Sequence, residues 1–171
     1  MTLAELNGLS LDQARQVLSS CCGVTRWVDA MVASRPYHSL DHVLATAKAA
    51  SLRLKPDEWR EAFAHHARIG ERAEGRDAAW SVAEQSAVAR ADDPTRKALA
   101  ESNQLYEQRF GHIFLTCATG KSGSEILHEL RQRLFNDPVR ELTVAADEQR
   151  KITQLRLRKL LGTGDPGGAR P

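Results

Sequence analysis

Apolar positions along the chain recur at helical spacing between polar breaks, and almost nothing alternates with the period of two that marks a strand. Ser10 and Gln13 form an S-x-x-Q box, in which each side chain satisfies a main-chain N–H near the other, and Leu11, Ala14, Val17 and Leu18 follow on one face. This predicts a helix from Ser10 through Cys21, ended by Gly23. A second, over 25–34, stops before Arg35-Pro36, because a proline ring disfavours helical geometry in the preceding residue. Ser39 caps a third, which carries Leu40, Val43, Leu44, Ala47 and Leu52 and runs to Leu54. Pro56 at a first-turn position, with Asp57 and Glu58 at the positive end of the helix dipole, opens a fourth that lasts to Ala67.

The helical rhythm then lapses. Residues 68–80, RIGERAEGRDAAW, contain two glycines and no periodic face, so they read as a loop. A short helix is expected over 81–91. Asp93-Pro94, a cap and first-turn pair, opens a long one to Arg109, which Gly111 terminates. HIFLTCAT is the one stretch of strand-like composition and is too isolated to build a sheet. Ser122 or Ser124 starts a helix to Asn136, and Asp137-Pro138 starts the last, to Leu161. The expected fold is all-α, a single bundle-like domain of about seven to nine helices over residues 1–161. Residues 162–171, GTGDPGGARP, have four glycines and two prolines and read as a flexible tail.

Composition narrows the function. Lys plus Arg number 24 against 22 Asp plus Glu, and a net charge of +2 lacks the basic excess that phosphate-backbone binding leaves, so no nucleic-acid partner is expected. With no apolar run of bilayer length and no basic-then-apolar leader in MTLAELNGLSLDQ, no membrane partner is expected and the location is read as cytoplasmic. Cys21, Cys22 and Cys117 are odd in number and make no C-x-x-C, which argues against disulfides and structural zinc and predicts reduced, buried or half-buried thiols.

Among the histidines, His38 and His42 stand four apart, and YHSLDH resembles the opening of metal phosphohydrolases of the HD type. Those enzymes need a His-Asp dyad where this chain has His66-Ala67, so a hard oxygen ligand is missing and no metal site is expected. Thr-Gly-Lys121-Ser is not a phosphate loop, because Leu115 occupies the place of the first glycine. His66 ends a predicted helix beside the irregular loop. Ser81-x-x-Glu84 taken alone is a capping box, with Gln85 a surface amide beside it. Arg156 differs in kind: a helical wheel places it among Leu142, Ala145, Ile152 and Leu160, where a guanidinium needs an internal carboxylate, a fan of acceptors or a bound anion.

Four ordered motifs draw these positions together. His66-Ala67-Arg68-Ile69-Gly70, Ser81-Val82-Ala83-Glu84-Gln85, Arg109-Phe110-Gly111-His112-Ile113-Phe114-Leu115, and Lys151-Ile152 with Leu155-Arg156-Leu157 resemble the motifs of the 2-oxo-4-hydroxy-4-carboxy-5-ureidoimidazoline (OHCU) decarboxylases, as does the opening L-x-x-L-N. One departure is Ala67, which stands where that family usually has proline. The resemblance implies an all-helical homodimer that needs no cofactor and acts on a small ureidoimidazoline to give (S)-allantoin in urate breakdown, with a functional link to 5-hydroxyisourate hydrolase. It implies His66, Glu84 and Arg156 as the catalytic residues. Substrate contacts then fall to Ala67, Ser81, Glu84, Gln85, His112, Ile113, Phe114, Leu115 and Arg156, those of 112–115 through the main chain. An HD-like metal phosphohydrolase and a non-catalytic helical binding domain are the competing readings.

Overall fold

The computed structural model describes residues 1–66, 68, 69 and 91–162. Among them lie eight helices and no strand: α1 (Leu3–Gly8), α2 (Leu11–Ser19), α3 (Thr25–Ala33), α4 (Leu40–Ser51), α5 (Pro56–Ala64), α6 (Asp93–Phe110), α7 (Gly123–Arg133) and α8 (Pro138–Leu160). The fold is all-α, as expected. The helix expected over 81–91, most of the loop expected over 68–80, most of the tail, and Ala67, Ser81, Glu84 and Gln85 lie outside the described residues.

Helix boundaries follow local side-chain chemistry. Ser10 Oγ accepts the Gln13 N–H while Gln13 Oε1 accepts that of Ser10, so the expected box is present. Ser39 caps α4 through the His42 N–H, and Ser122, rather than Ser124, caps α7 in a box with Glu125. At α6 the cap is Asp92 and not Asp93: its carboxylate accepts the Thr95 N–H at 2.9 Å, which places Asp93 and Pro94 in the first turn, where a missing proline N–H costs nothing. Four expected ends are also corrected. Helix α2 stops at Ser19, α4 at Ser51, α5 at Ala64 and α7 at Arg133 rather than Asn136, each followed by a tighter turn that takes over the last carbonyls, as when the Cys21 N–H reaches Leu18 O, the His66 N–H reaches Phe63 O and the Asn136 N–H reaches Arg133 O.

Helix α1 was not foreseen from periodicity, since six residues are too few to show one. Its capping box, Thr2 with Glu5, is nevertheless written in the sequence.

The chain divides into two units, Met1–Lys55 with the stretch from Arg150 onward, and Pro56–Gln149. In the first, α3 packs on both α2 and α4, burying Leu18, Trp27, Met31, Val43 and Ala47, with Ile152 and Leu157 contributed by α8. Polar side chains stitch its turns: the Asn7 amide donates to Tyr37 O and accepts the Tyr37 N–H, both at 2.8 Å, and Arg35 Nη1 donates to Leu6 O and Leu9 O. Leu11 and Leu52, expected on inner faces, are instead 61% and 62% exposed, because Leu11 opens its helix and Leu52 follows the last turn of α4. Cys21 and Cys22 are buried and Cys117 is half-buried.

In the second unit α6 packs on α7 around Ile69, Leu99, Tyr106, Phe114, Ala118, Ile126 and Leu130. HIFLTCAT crosses this core as irregular extended chain and forms no strand. Gly111, at φ +71°, ends α6 in the left-handed region and launches that crossing, its N–H held by Glu107 O at 2.9 Å.

Candidate active site

His66 lies just past the C-terminal end of α5, half-buried, with its main-chain N–H bonded to Phe63 O at 3.0 Å. The chain beyond it is held at two places. Arg68 presents a bidentate fork to Glu107, Nε to Oε1 at 2.6 Å and Nη2 to Oε2 at 3.0 Å. Ile69 enters the core, its carbonyl accepting from Asn103 Nδ2 at 3.3 Å. Beside this segment a cavity of about 340 Å³ is lined by Arg60, Phe63, Ala64, Glu107, Gly111, His112 and Ile113. Its size fits a small molecule. His112 and Ile113 were expected at substrate, whereas Arg60, Phe63 and Glu107 were not, since only the fold brings α5 and α6 together around one hollow.

The His112 ring stands among Phe63, Tyr106 and Phe110, with centroids 5.2, 5.6 and 6.2 Å away. Its Nδ1 lies 3.1 Å from Ile113 O. A carbonyl only accepts, so this nitrogen carries the proton and Nε2 remains the acceptor. Burial lowers the ring's pKa, partly opposed by the bond to Ile113 O; the neutral form is the one the site favours.

Under the extended segment runs a buried ionic network that gives the Phe114–Cys117 main chain its place. Arg133, 6% exposed, donates Nη1 to Leu115 O at 2.8 Å and Nε and Nη2 to Glu141 Oε1 at 2.8 and 2.6 Å, and its guanidinium covers the Phe114 ring at 4.6 Å. Glu141, fully buried, also accepts from the Tyr106 hydroxyl and from Asn136 Nδ2. Burial raises the Tyr106 pKa well above the phenol range, so that hydroxyl stays a donor. Glu148 accepts the Cys117 N–H at 2.8 Å, and Lys121, the residue of the discarded phosphate loop, bonds Thr116 and Glu129. None of this network was expected. The signal existed, because Ile126, Leu130 and Arg133 recur at i, i+4 and i+7, the same test that singled out Arg156.

In the other unit Arg156 is 3% exposed, as its wheel position required. Its Nη1 donates at 3.2 Å to the carbonyl of Ser20 at the end of α2, a place where carbonyls lack intrahelical partners and the helix dipole is negative. A main-chain carbonyl is thus one of the acceptors of this buried guanidinium. His38 and His42 stack at 5.5 Å, with the His38 N–H directed at His42 Nδ1; among the described residues no group of three His, Cys, Asp or Glu could hold a metal ion.

Among the described residues, eight helices, a cavity of small-molecule size at the end of α5 and a main-chain crossing fixed by buried ion pairs define a helical protein with a candidate ligand site. The sequence matches the OHCU decarboxylase family over residues 7–158, and the chain belongs to that family. It is 38% identical over 145 residues to the uric acid degradation bifunctional protein TTL of Arabidopsis thaliana, a match covering 82% of this chain and 45% of that protein. To the 2-oxo-4-hydroxy-4-carboxy-5-ureidoimidazoline decarboxylase of Mus musculus it is 36% identical, over 46% of this chain and 44% of that one. The chain thus spans under half the length of these curated relatives. A crystal structure of an OHCU decarboxylase determined in the presence of (S)-allantoin superposes with TM-score 0.74 at 35% identity, covering 84% of this chain and 96% of that one. That of an (S)-allantoin synthase, at 17% identity and TM-score 0.72 over 94% of this chain and 54% of its own, shares the fold.

Proposed function

We propose that this protein decarboxylates 2-oxo-4-hydroxy-4-carboxy-5-ureidoimidazoline to (S)-allantoin in urate degradation, without a cofactor. The observation that carries the reading is the family match across residues 7–158, which spans every motif assigned to the site. The substrate bears a hydroxyl and a carboxylate on one ring carbon, next to a ring C=N. As CO2 leaves, the electrons of the broken C–C bond pass into that C=N, so the molecule supplies its own electron sink. His66 takes the hydroxyl proton, a task suited to imidazole near neutral pH. Glu84 accepts hydrogen bonds from ureido and ring N–H groups, and Arg156 holds a substrate anion or polar ring edge by charge-assisted bonds. Ser81, Gln85, Ala67 and the main chain of residues 112–115 complete the contacts. A proton delivered to one face of the neighbouring carbon then sets the handedness of allantoin.

The finer organisation belongs to the same proposal: one family domain over residues 1–161, a flexible tail over 162–171, a cytoplasmic location and a homodimer. Phe135 and Val139, 85% and 78% exposed where α7 gives way to α8, are in keeping with a further subunit contact. Among the described residues no helix is long and apolar enough to cross a membrane. A link to 5-hydroxyisourate hydrolase draws support from the Arabidopsis relative, which is named as bifunctional.

The test is ultraviolet loss of freshly generated substrate, with the optical activity of the product. Wild-type protein should consume it and yield one enantiomer, before and after exhaustive chelation. His66→Asn and Glu84→Gln should stay folded and lose most turnover. Arg156→Lys should weaken both binding and turnover by about 1.5–3 kcal/mol, because an ammonium cannot reproduce the planar fork. A wild-type protein without turnover rejects the decarboxylase, and loss on chelation with recovery on adding a divalent ion favours the phosphohydrolase.

A further inference from the structure

Two stretches that this reading assigns to substrate, the one at His66 and the one from His112 to Leu115, are tied to the same turn of α6. Glu107 makes both ties. Its carboxylate receives the Arg68 fork at 2.6 and 3.0 Å, and its main-chain carbonyl holds the Gly111 N–H that starts the 112–115 segment. Glu107 also lines the cavity alongside His112 and Ile113. We propose that Arg68 and Glu107 are a pair of positioning residues, which set the His66 imidazole in register with the 112–115 main chain; the proposal rests on His66 acting at substrate.

A single ionic contact would fix only a distance. A bidentate fork fixes distance and plane together, and so determines how the backbone two residues upstream is oriented. Upstream, the last turn of α5 holds the His66 N–H on Phe63 O; downstream, Ile69 is buried and bonded to Asn103. Between these anchors Arg68, on the segment itself, and Glu107, on α6, act together on the orientation of His66. The two side chains are 49% and 27% exposed. Half-exposed pairs contribute little to global stability, so their loss should leave the protein folded and should show itself in catalysis. Small misplacement of a reacting group is costly in rate.

The experiment is a cycle of Arg68→Ala, Glu107→Ala and the double variant, read by kcat, KM, melting and the His66 imidazole resonances, which are assigned by their absence from His66→Asn. Each single variant should lower kcat about tenfold, with KM within about twofold and melting almost unchanged. The double should lose no more than either single, because one interaction is removed in all three. Arg68→Lys should recover part of kcat. The double variant keeps the wild-type net charge, so His66 resonances that stay displaced in it report position, whereas resonances that return to their wild-type values report charge alone and overturn the proposal. Additive losses of kcat, or unchanged kcat in both singles, also overturn it. If the wild-type protein does not consume the substrate, the decarboxylase reading fails by itself, and the imidazole resonances still decide whether the pair places His66.

Discussion

A buried arginine survives only where every donor finds an acceptor, and Arg133 shows what such a residue organises. Glu141 neutralises it, Leu115 O takes its third bond, and the Phe114 ring shields its face. Truncating Glu141→Ala would leave this guanidinium with the carboxylate of Glu129 alone, at 3.1 Å, and the Tyr106 hydroxyl without its carboxylate, and breaking a buried pair from one side costs about 3–5 kcal/mol. Urea unfolding of Glu141→Ala should show a loss of that order, and a wild-type midpoint would mean that the network carries no structural load. His112 supplies a pH test. Its folded-state pKa lies below the ordinary value, so the unfolded chain binds a proton more readily than the native one. Stability should therefore be intact above about pH 6.5 and decline as pH falls from there toward the depressed native value. His112→Phe should remove that part of the slope. Urea midpoints at pH 7.5 and 5.5 compare the two proteins, and equal slopes would show that the ring is not desolvated.

Elements here are set by their ends more than by their middles. Gly111 occupies a left-handed φ of +71°, and an added Cβ would meet nothing within 4 Å. Gly111→Ala therefore isolates backbone strain, about 1–2 kcal/mol, and because the same residue launches the 112–115 crossing, kcat should fall with it. Unchanged melting would show that the turn relaxes into another conformation. The local nature of these signals explains which elements were legible. Ser10, Ser39, Ser122 and Gly111 could be read because a cap involves a residue and its neighbours within three or four positions. The six-residue α1 escaped a test that needs several turns, and Asp92 was passed over for its neighbour because either carboxylate suits a cap next to proline. Leu11 and Leu52 misled because a wheel extends a face beyond the residues that the helix buries.

At the scale of the whole molecule, what was legible is what single positions in a pattern carry, and what was not is what packing makes. Arg156 could be placed inside its unit because a charge stood in an apolar stripe, and His66 near the end of a helix because the helical rhythm lapses after it. The cavity walls Arg60 and Phe63 stand more than 40 residues before Glu107, on a different helix, and nothing local in either marks them. The division into two units was likewise invisible. Its second boundary falls at Gln149 and Arg150, within the uninterrupted run of α8, with no proline, glycine or polar linker to announce it.

That boundary has a consequence for biosynthesis. The unit formed by Met1–Lys55 is completed by the end of α8, through the Met1 ammonium on Leu160 O, Arg156 on Ser20 O, and the buried Ile152 and Leu157. The unit of residues 56–149 is one continuous stretch of chain. Because synthesis runs from N- to C-terminus, α1–α4 are made before the segment of α8 that completes their unit, whereas the continuous unit of residues 56–149 has been made in full by the time Arg150 is added. Order of synthesis and order of completion are thus reversed for these two units, and truncation before Arg150 would leave the unit of residues 1–55 without its closing helix segment.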